Sequence, residues 1–234
     1  MRRLQQLCGA LVASLLGVIA VAQDDPEAKR EPIPRGFRMY LVSDGRFSAE
    51  KTADGVFRDE RNRIGKLHDP VTEYGLSSVV AVFARGVPAN DIAPAVVLMK
   101  KQQEWAERYR AKRLSAFTAF LVLAKDFAAD DDRDARIKDI EKFTKEANVP
   151  LVSVGIAEAT VAAGEDAKEG AVKIAPQVAA WGIAAEDDIT VIVYHRLKIV
   201  KRWKFAKDKP PTEADIAEIA GVVDEVMGKK KPAN

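Results

Sequence analysis

Ser77-Ser78-Val79-Val80-Ala81-Val82-Phe83-Ala84, followed at once by Arg85-Gly86-Val87-Pro88-Ala89-Asn90-Asp91, is the stretch that decides the architecture. The first part is uncharged and rich in valine, with no alternation of polar and apolar positions. Such a run predicts a strand covered on both faces, as strands of parallel sheets are. The second part holds the turn formers Gly86 and Pro88, and Asn90 or Asp91 can cap a helix with Pro94 in its first turn. Ala95, Leu98, Trp105 and Tyr109 recur at helical spacing as far as about Arg113, with Lys100, Lys101, Arg108 and Arg110 elsewhere. Buried strand, loop and amphipathic helix make one β–α unit.

Working outward, the unit repeats. Ala116–Leu123 predicts a second buried strand, and Asp130–Asp132 lead into a helix running to about Ala147 with Ile137, Ile140 and Phe143 inward. Leu151–Ile156 predicts a third strand. Residues 157–170 read as a mobile acidic excursion, and Ala171–Trp181 as a short helix, kinked at Pro176 and ended by Gly182. Ile189–Tyr194 and Leu197–Phe205 form a hairpin around His195-Arg196. Thr212-Glu213-Ala214-Asp215 resembles a capping box with Asp in place of Glu, opening a helix that sets Ile216, Ile219, Val223 and Val226 on one face and stops at Gly228. Upstream, Met39–Val42 with Ser43-Asp44-Gly45 predict a short strand and turn, and Asp54-Gly55 a second turn. From there to Gly75 the chain reads as irregular and charged. Alternating β and α units imply a central sheet with parallel pairs and helices on both faces, the hairpin and last helix adding an antiparallel edge.

The chain has 234 residues, 47% hydrophobic and 31% charged, a composition that builds a core. Arg2 and Arg3 precede an uncharged run from Leu7 to Ala22 that closes on Ala20-Val21-Ala22, the layout of a signal peptide over 1–22 cleaved after Ala22. Export to the periplasm or the extracellular space is therefore expected, with no stable membrane insertion unless that leader is retained as an anchor. Residues 23–36 hold three prolines and seven charges and read as a solvated linker; residues 229–234 read as a frayed basic tail. Without the first 22 residues the chain carries 35 basic and 35 acidic side chains, lacking the broad positive field that nucleic-acid binding uses. The sole cysteine, Cys8, lies in the leader. The remainder, over 37–228, can make no disulfide, no CxxC couple and no thiolate metal site.

From about Gly65 to Met227, a β-α-β unit followed by β-β-α resembles the thioredoxin-like superfamily, in a redoxin or peroxiredoxin-like form. The residues carrying the likeness are Ser77–Ala84 as central strand, Ile189–Tyr194 as the strand after the family's cis-proline, Leu197–Phe205 and the C-terminal helix. The resemblance implies a three-layer α/β/α sandwich with a mixed central sheet and a C-terminal β-hairpin plus helix. It also places the family's catalytic dithiol in the Arg85–Asp91 loop, where no cysteine stands. Thiol chemistry needs a thiolate to attack a disulfide or peroxide, and neither Val87 nor Asn90 supplies one. Asp187-Asp188-Ile189-Thr190 likewise lacks the proline. The implied protein is a member without thiol redox activity, needing no cofactor, that binds a protein or peptide partner or serves as a structural accessory. Arg85, Gly86, Val87, Pro88, Asn90, Asp91 and Ile189 are its positional remnant of the redox site.

Other constellations compete. In Lys66-Leu67-His68-Asp69-Pro70, an imidazole beside a carboxylate makes His68 and Asp69 the candidate catalytic pair of an alternative, an extracytoplasmic enzyme using polar residues. Set against it, His68 reads as a surface-loop histidine and His195 as a polar turn residue. Two separated histidines and no mature cysteine give no metal site. Asp130-Asp131-Asp132-Arg133-Asp134 reads as an acidic helix start rather than a calcium loop. Arg196, Lys198, Lys201, Arg202, Lys204, Lys207 and Lys209, interleaved with Trp203 and Phe205, read either as edge-strand charges that block association or as a docking surface for an anionic polymer, lipid or acidic partner. Trp105 and Tyr109 read as packing residues.

Overall fold

Four long strands with almost no exposed side chain form the centre of the molecule. The computed structural model describes residues 30–34, 36–45, 63–88, 93–124, 127, 129–162 and 172–228. The leader, the Asp54-Gly55 turn and the basic tail lie outside them. In chain order the elements are β1 (Met39–Ser43), β2 (Leu67–His68), α1 (Pro70–Tyr74), β3 (Ser78–Arg85), α2 (Pro94–Arg108), β4 (Ser115–Val122), α3 (Asp130–Ala147), β5 (Val152–Glu158), β6 (Thr160–Ala162), β7 (Val172–Ile174), α4 (Pro176–Ala180), β8 (Asp187–His195), β9 (Lys198–Ala206) and α5 (Glu213–Val226). Seven strands form one sheet in the order β2-β1-β5-β4-β3-β8-β9, and β6 pairs with β7 apart from it. β4 runs parallel to both β3 and β5. The pairs β1–β2, β1–β5, β3–β8 and β8–β9 are antiparallel, so the sheet is mixed.

Each face of that sheet packs its own core. Val80, Val82, Ala84, Val191 and Val193 meet Leu98, Met99 and Trp105 of α2, Ile140 of α3, and Ile219 and Val223 of α5. Val79, Ala81, Phe83, Ile192 and Tyr194 meet Phe37, Val71 and Tyr74 of α1, and Val178 and Trp181 at α4. Two-sided burial explains why β3, β4 and β8 are mostly apolar over Val79–Ala84, Ala116–Val122 and Ile189–Tyr194. Each fully buried Val, Ile or Phe contributes about 1.5–3 kcal/mol, and a polar residue there is favoured where the fold supplies it a partner. Gln102 of α2 is such a case: its Nε2 donates to the carbonyls of Val80 (2.8 Å) and Phe117 (2.9 Å), while its Oε1 accepts from Thr118 Oγ1 at 2.6 Å. Gly155 answers another demand. A Cβ there would fall 2.7 Å from the Tyr40 carbonyl oxygen, so only glycine lets β1 lie against β5.

The expected strand, helix and hairpin units are present, and the departures have physical causes. α2 begins at Pro94 with Ala93 as its N-cap and no side-chain cap, because proline at the first helical position brings fixed φ and lacks only an N–H that would be orphaned anyway. α2 ends at Arg108, and a 3-10 turn over Arg110–Lys112 closes on Arg113 in the left-handed region. The stretch expected to be an acidic excursion supplies the end of β5 and all of β6. Ala171–Trp181 is not one kinked helix: Val172–Ile174 pair with Thr160–Ala162, and Pro176 opens α4 instead of bending it. The charged stretch before Gly75 contains β2 and α1, the latter capped by Asp69 with Pro70 at N1. The capping box Thr212/Asp215 forms as expected.

The end of the expected linker is docked. Pro32 bridges Lys198 in antiparallel sense, the Ile33 N–H donates to Leu197 O at 2.9 Å, and the Ile199 N–H donates to Glu31 O at 2.7 Å. This clasp holds the β8–β9 turn, where Arg196 (φ 48°) and Leu197 (φ 62°) both take left-handed backbone. That conformation suits the tight hairpin but is costly for side chains with a Cβ.

Candidate functional site

The Arg85–Asp91 loop leaves the carboxyl end of β3, beside parallel β4 and antiparallel β8. Ala84 pairs with Ile189, so the loop's first residues lie next to the start of β8. Gly86 follows with φ 71°, a left-handed turn that takes the backbone off the sheet, its N–H donating to Leu121 O at 2.9 Å. Val87 packs partly against the α2 side of the core, and Ile189 is buried in that same core. Gly86 is exposed and Pro88 half-buried; Asn90 and Asp91 lie outside the described residues.

What fills this end of the sheet is a guanidinium. Arg85 Nε donates to Asp187 O at 2.7 Å and its Nη2 to Ala184 O at 2.6 Å, fastening the segment between α4 and β8 to the end of β3. The Asp187 side chain continues the network: its Oδ2 accepts the Ala184 N–H at 2.7 Å and lies 3.0 Å from Lys204 Nζ on β9. Asp187 is buried while the Lys204 side chain is 41% exposed, so that pair sits at the rim with its cation in water. Both Arg85 bonds go to neutral carbonyls. The positive charge is therefore met by backbone dipoles, and the end of β3 is fastened to residues 184–187 by donors that need no redox partner. Sequence reading singled out Arg85 and Ile189 but missed Ala184 and Asp187 as the arginine's acceptors, and Lys204 as the partner of the Asp187 carboxylate. The acid pair Asp187-Asp188 just before a buried strand was the available signal.

His68 and Asp69 do not act on each other. Adjacent residues entering or leaving an extended segment point to opposite sides, and these two serve different neighbours. Asp69 Oδ1 accepts the N–H groups of Phe37 (3.1 Å), Val71 (3.0 Å) and Thr72 (3.3 Å), and its Oδ2 accepts Thr72 Oγ1 at 2.8 Å. It caps α1 and ties Phe37 to it. His68 Nδ1 instead lies 3.0 Å from Glu73 Oε1 and 2.9 Å from Arg63 Nη2, and Arg63 also pairs with Glu73 and Asp44. Burial alone would raise the Glu73 carboxyl; hydrogen bonds from Arg63 and His68, with their charges, outweigh it and hold the carboxyl below its ordinary 4.5. His195 ends β8, its Nδ1 2.8 Å from Ser78 Oγ. Trp105 and Tyr109 are core residues; the Tyr109 hydroxyl donates to Asp224 Oδ1 at 2.5 Å, and burial followed by that carboxylate raises its pKa. Asp130 pairs with Arg133, whose guanidinium also lies 4.4 Å from the centre of the Tyr40 ring. Among the described residues no three His, Cys, Asp or Glu side chains converge, and no helix is long and apolar enough to cross a membrane.

No family model and no curated protein matches the chain. Solved structures do. A DsbF homologue from Corynebacterium diphtheriae is 13% identical over 85% of this chain and 88% of that one, with a TM-score of 0.50. A secreted thiol-disulfide isomerase from Corynebacterium glutamicum is 13% identical, over 85% and 89%, TM-score 0.49. A thiol:disulfide interchange protein of the thioredoxin family from Chlorobium tepidum is 11% identical, over 86% and 98%, TM-score 0.48. What the chain shares with the DsbF homologue at that identity is the fold. The fold is thioredoxin-like. It is carried by a chain whose one cysteine, Cys8, stands far upstream of the β3–α2 loop.

Proposed function

We propose that this is an exported thioredoxin-like protein that performs no thiol redox chemistry and works by binding a protein or peptide partner, or as a structural accessory. The observation that carries the reading is the Arg85 clamp. At the end of β3, where the superfamily it resembles keeps its dithiol, this chain has an arginine bonded to Ala184 O and Asp187 O, and no sulfur anywhere after Cys8 except in methionine. A thiolate nucleophile has no substitute in such a site. The exposed turn at Gly86 and the half-buried Val87 and Pro88, flanked by Ile189, offer a peptide a small apolar ledge next to fixed backbone groups. Export rests on the 1–22 leader and supports the same reading, since the mature chain then holds no cysteine.

The test is direct. Purified protein lacking residues 1–22 is assayed for insulin reduction in the presence of dithiothreitol and for consumption of hydrogen peroxide. Turnover indistinguishable from buffer is expected; catalysis of either reaction overturns the proposal. N-terminal sequencing of the exported form is expected to begin at Gln23. Titration with a panel of unfolded peptides is expected to shift the amide resonances of Gly86, Val87 and Ile189, and silence at all three would remove the binding role from this loop.

A further inference from the structure

The sheet has two edges, and they are unlike. One is β2, two residues long, too short to template another strand. The other is β9, nine residues long, with Lys198, Lys201, Arg202 and Lys204 and no acidic residue. The chain itself lays an extended segment on the start of this edge: Glu31–Ile33, antiparallel, with two backbone hydrogen bonds and the Glu31 carboxylate 3.6 Å from Arg202. Among the described residues the pairing ends there. Arg30 lies in a bend, and among the described residues no strand pairs with the outer side of Val200–Ala206.

We propose that the open Val200–Ala206 edge of β9 is a strand-addition site for an extended, acidic segment of a partner protein. The backbone supplies the attraction common to any strand, and the side chains supply the selection. Lys201 stands on the α5 side, where it meets Glu218 and its Nζ lies 5.3 Å from the centre of the Trp203 ring. Arg202 and Lys204 stand on the opposite side, Arg202 against the backbone at Gly182 and Lys204 against Asp187. Successive residues of an incoming strand point to opposite faces, so both faces of that strand meet cations and acidic residues are favoured at either parity. Lys201 and Lys204 remain 42% and 41% exposed, leaving donors for a second carboxylate each. Exposed Lys207 and Lys209, with exposed Asp208 between them, add one net positive charge beyond the strand end. Seven residues at about 3.3 Å each set a docked length of roughly 23 Å. The proposal stands apart from the redox question, since none of it depends on the β3–α2 loop.

The experiment uses the full chain and three labelled heptapeptides: one alternating Glu or Asp with Val, its lysine counterpart, and an acidic isomer with proline at the centre. Fluorescence anisotropy is expected to show the acidic peptide binding at least tenfold tighter than either of the others, with an affinity that falls as salt rises. Hydrogen exchange at saturation is expected to show at least tenfold slower exchange for amides within Val200–Ala206. The double variant Lys201→Glu/Lys204→Glu, checked by circular dichroism for native fold, is expected to lose at least tenfold in affinity. Equal binding of the acidic and proline-bearing peptides, or unchanged exchange in β9 at saturation, overturns the proposal. So does protection of these amides in the free chain that vanishes when residues 23–30 are deleted, because the chain's own segment would then be the occupant.

Discussion

Replacing Arg85 with methionine keeps the aliphatic stem and removes the guanidinium. Two hydrogen bonds disappear, Nε to Asp187 O at 2.7 Å and Nη2 to Ala184 O at 2.6 Å. Hydrogen bonds to a charged donor contribute about 1.5–3 kcal/mol each. The low end of that range gives about 3 kcal/mol for the two bonds; Arg85 is half-buried, so water re-solvating the freed groups returns about 1 kcal/mol of it. The net cost is about 2 kcal/mol, roughly thirtyfold in an equilibrium constant. It is borne first by the segment the guanidinium holds, where the Ala184 N–H donates to Asp187 Oδ2 and the Asp187 N–H to Ala184 O. Urea unfolding of Arg85→Met is expected to give a stability about 2 kcal/mol lower at unchanged slope, and native-state exchange of the Ala184 and Asp187 amides to accelerate about thirtyfold. Arg85→Lys, which retains charge but not the fork, is expected to recover less than half of the loss. A loss below about 0.5 kcal/mol, with exchange at Ala184 and Asp187 unaltered, would refute the claim that this arginine holds residues 184–187 against the end of β3.

Three further outcomes follow from wholly or partly buried polar groups. Gln102→Leu breaks three hydrogen bonds and strands the Thr118 hydroxyl, so a loss of about 3 kcal/mol is expected, of which adding Thr118→Val restores about 1 kcal/mol; strict additivity in this double-mutant cycle would show the pair to be uncoupled. Thr190 is fully buried and its Oγ1 has no partner among the described residues, so Thr190→Val is expected to stabilise the fold by about 1 kcal/mol in a thermal or urea melt. Because the folded-state pKa of Glu73 is depressed, its contribution to stability is present above the ordinary value of 4.5 and is lost as pH falls through the folded value. Glu73→Gln is accordingly expected to be destabilised relative to the parent at pH 7, with the difference shrinking once the pH falls below 4.5 and closing as it passes through the lower folded value; a gap that persists below that value contradicts the assignment.

The sequence made the sheet legible wherever burial is two-sided. The run expected at 77–84 is found as Ser78–Arg85, because a strand enclosed by helices on both faces favours apolar side chains at every position. β7 escaped reading: its pairing with Thr160–Ala162 crosses intervening chain, and its short Val-Lys-Ile segment precedes an alanine-rich helix. α1 was legible in principle, since Asp69-Pro70 is a good cap followed by a good first residue, but that aspartate drew attention as chemistry beside a histidine. At the candidate site, the loop position followed from the fold, whereas the clamp did not. Arg85 and its acceptors are separated by 99 and 102 residues in sequence, and no local pattern announces a bond of that range.

A guanidinium contains nothing for an oxidant to take. The two bonds it makes at the end of β3 finish on backbone carbonyls, which offer nothing either. Peroxide or reductant would rewrite a pair of sulfurs in the same place, but this arginine's own grip stays the same through both.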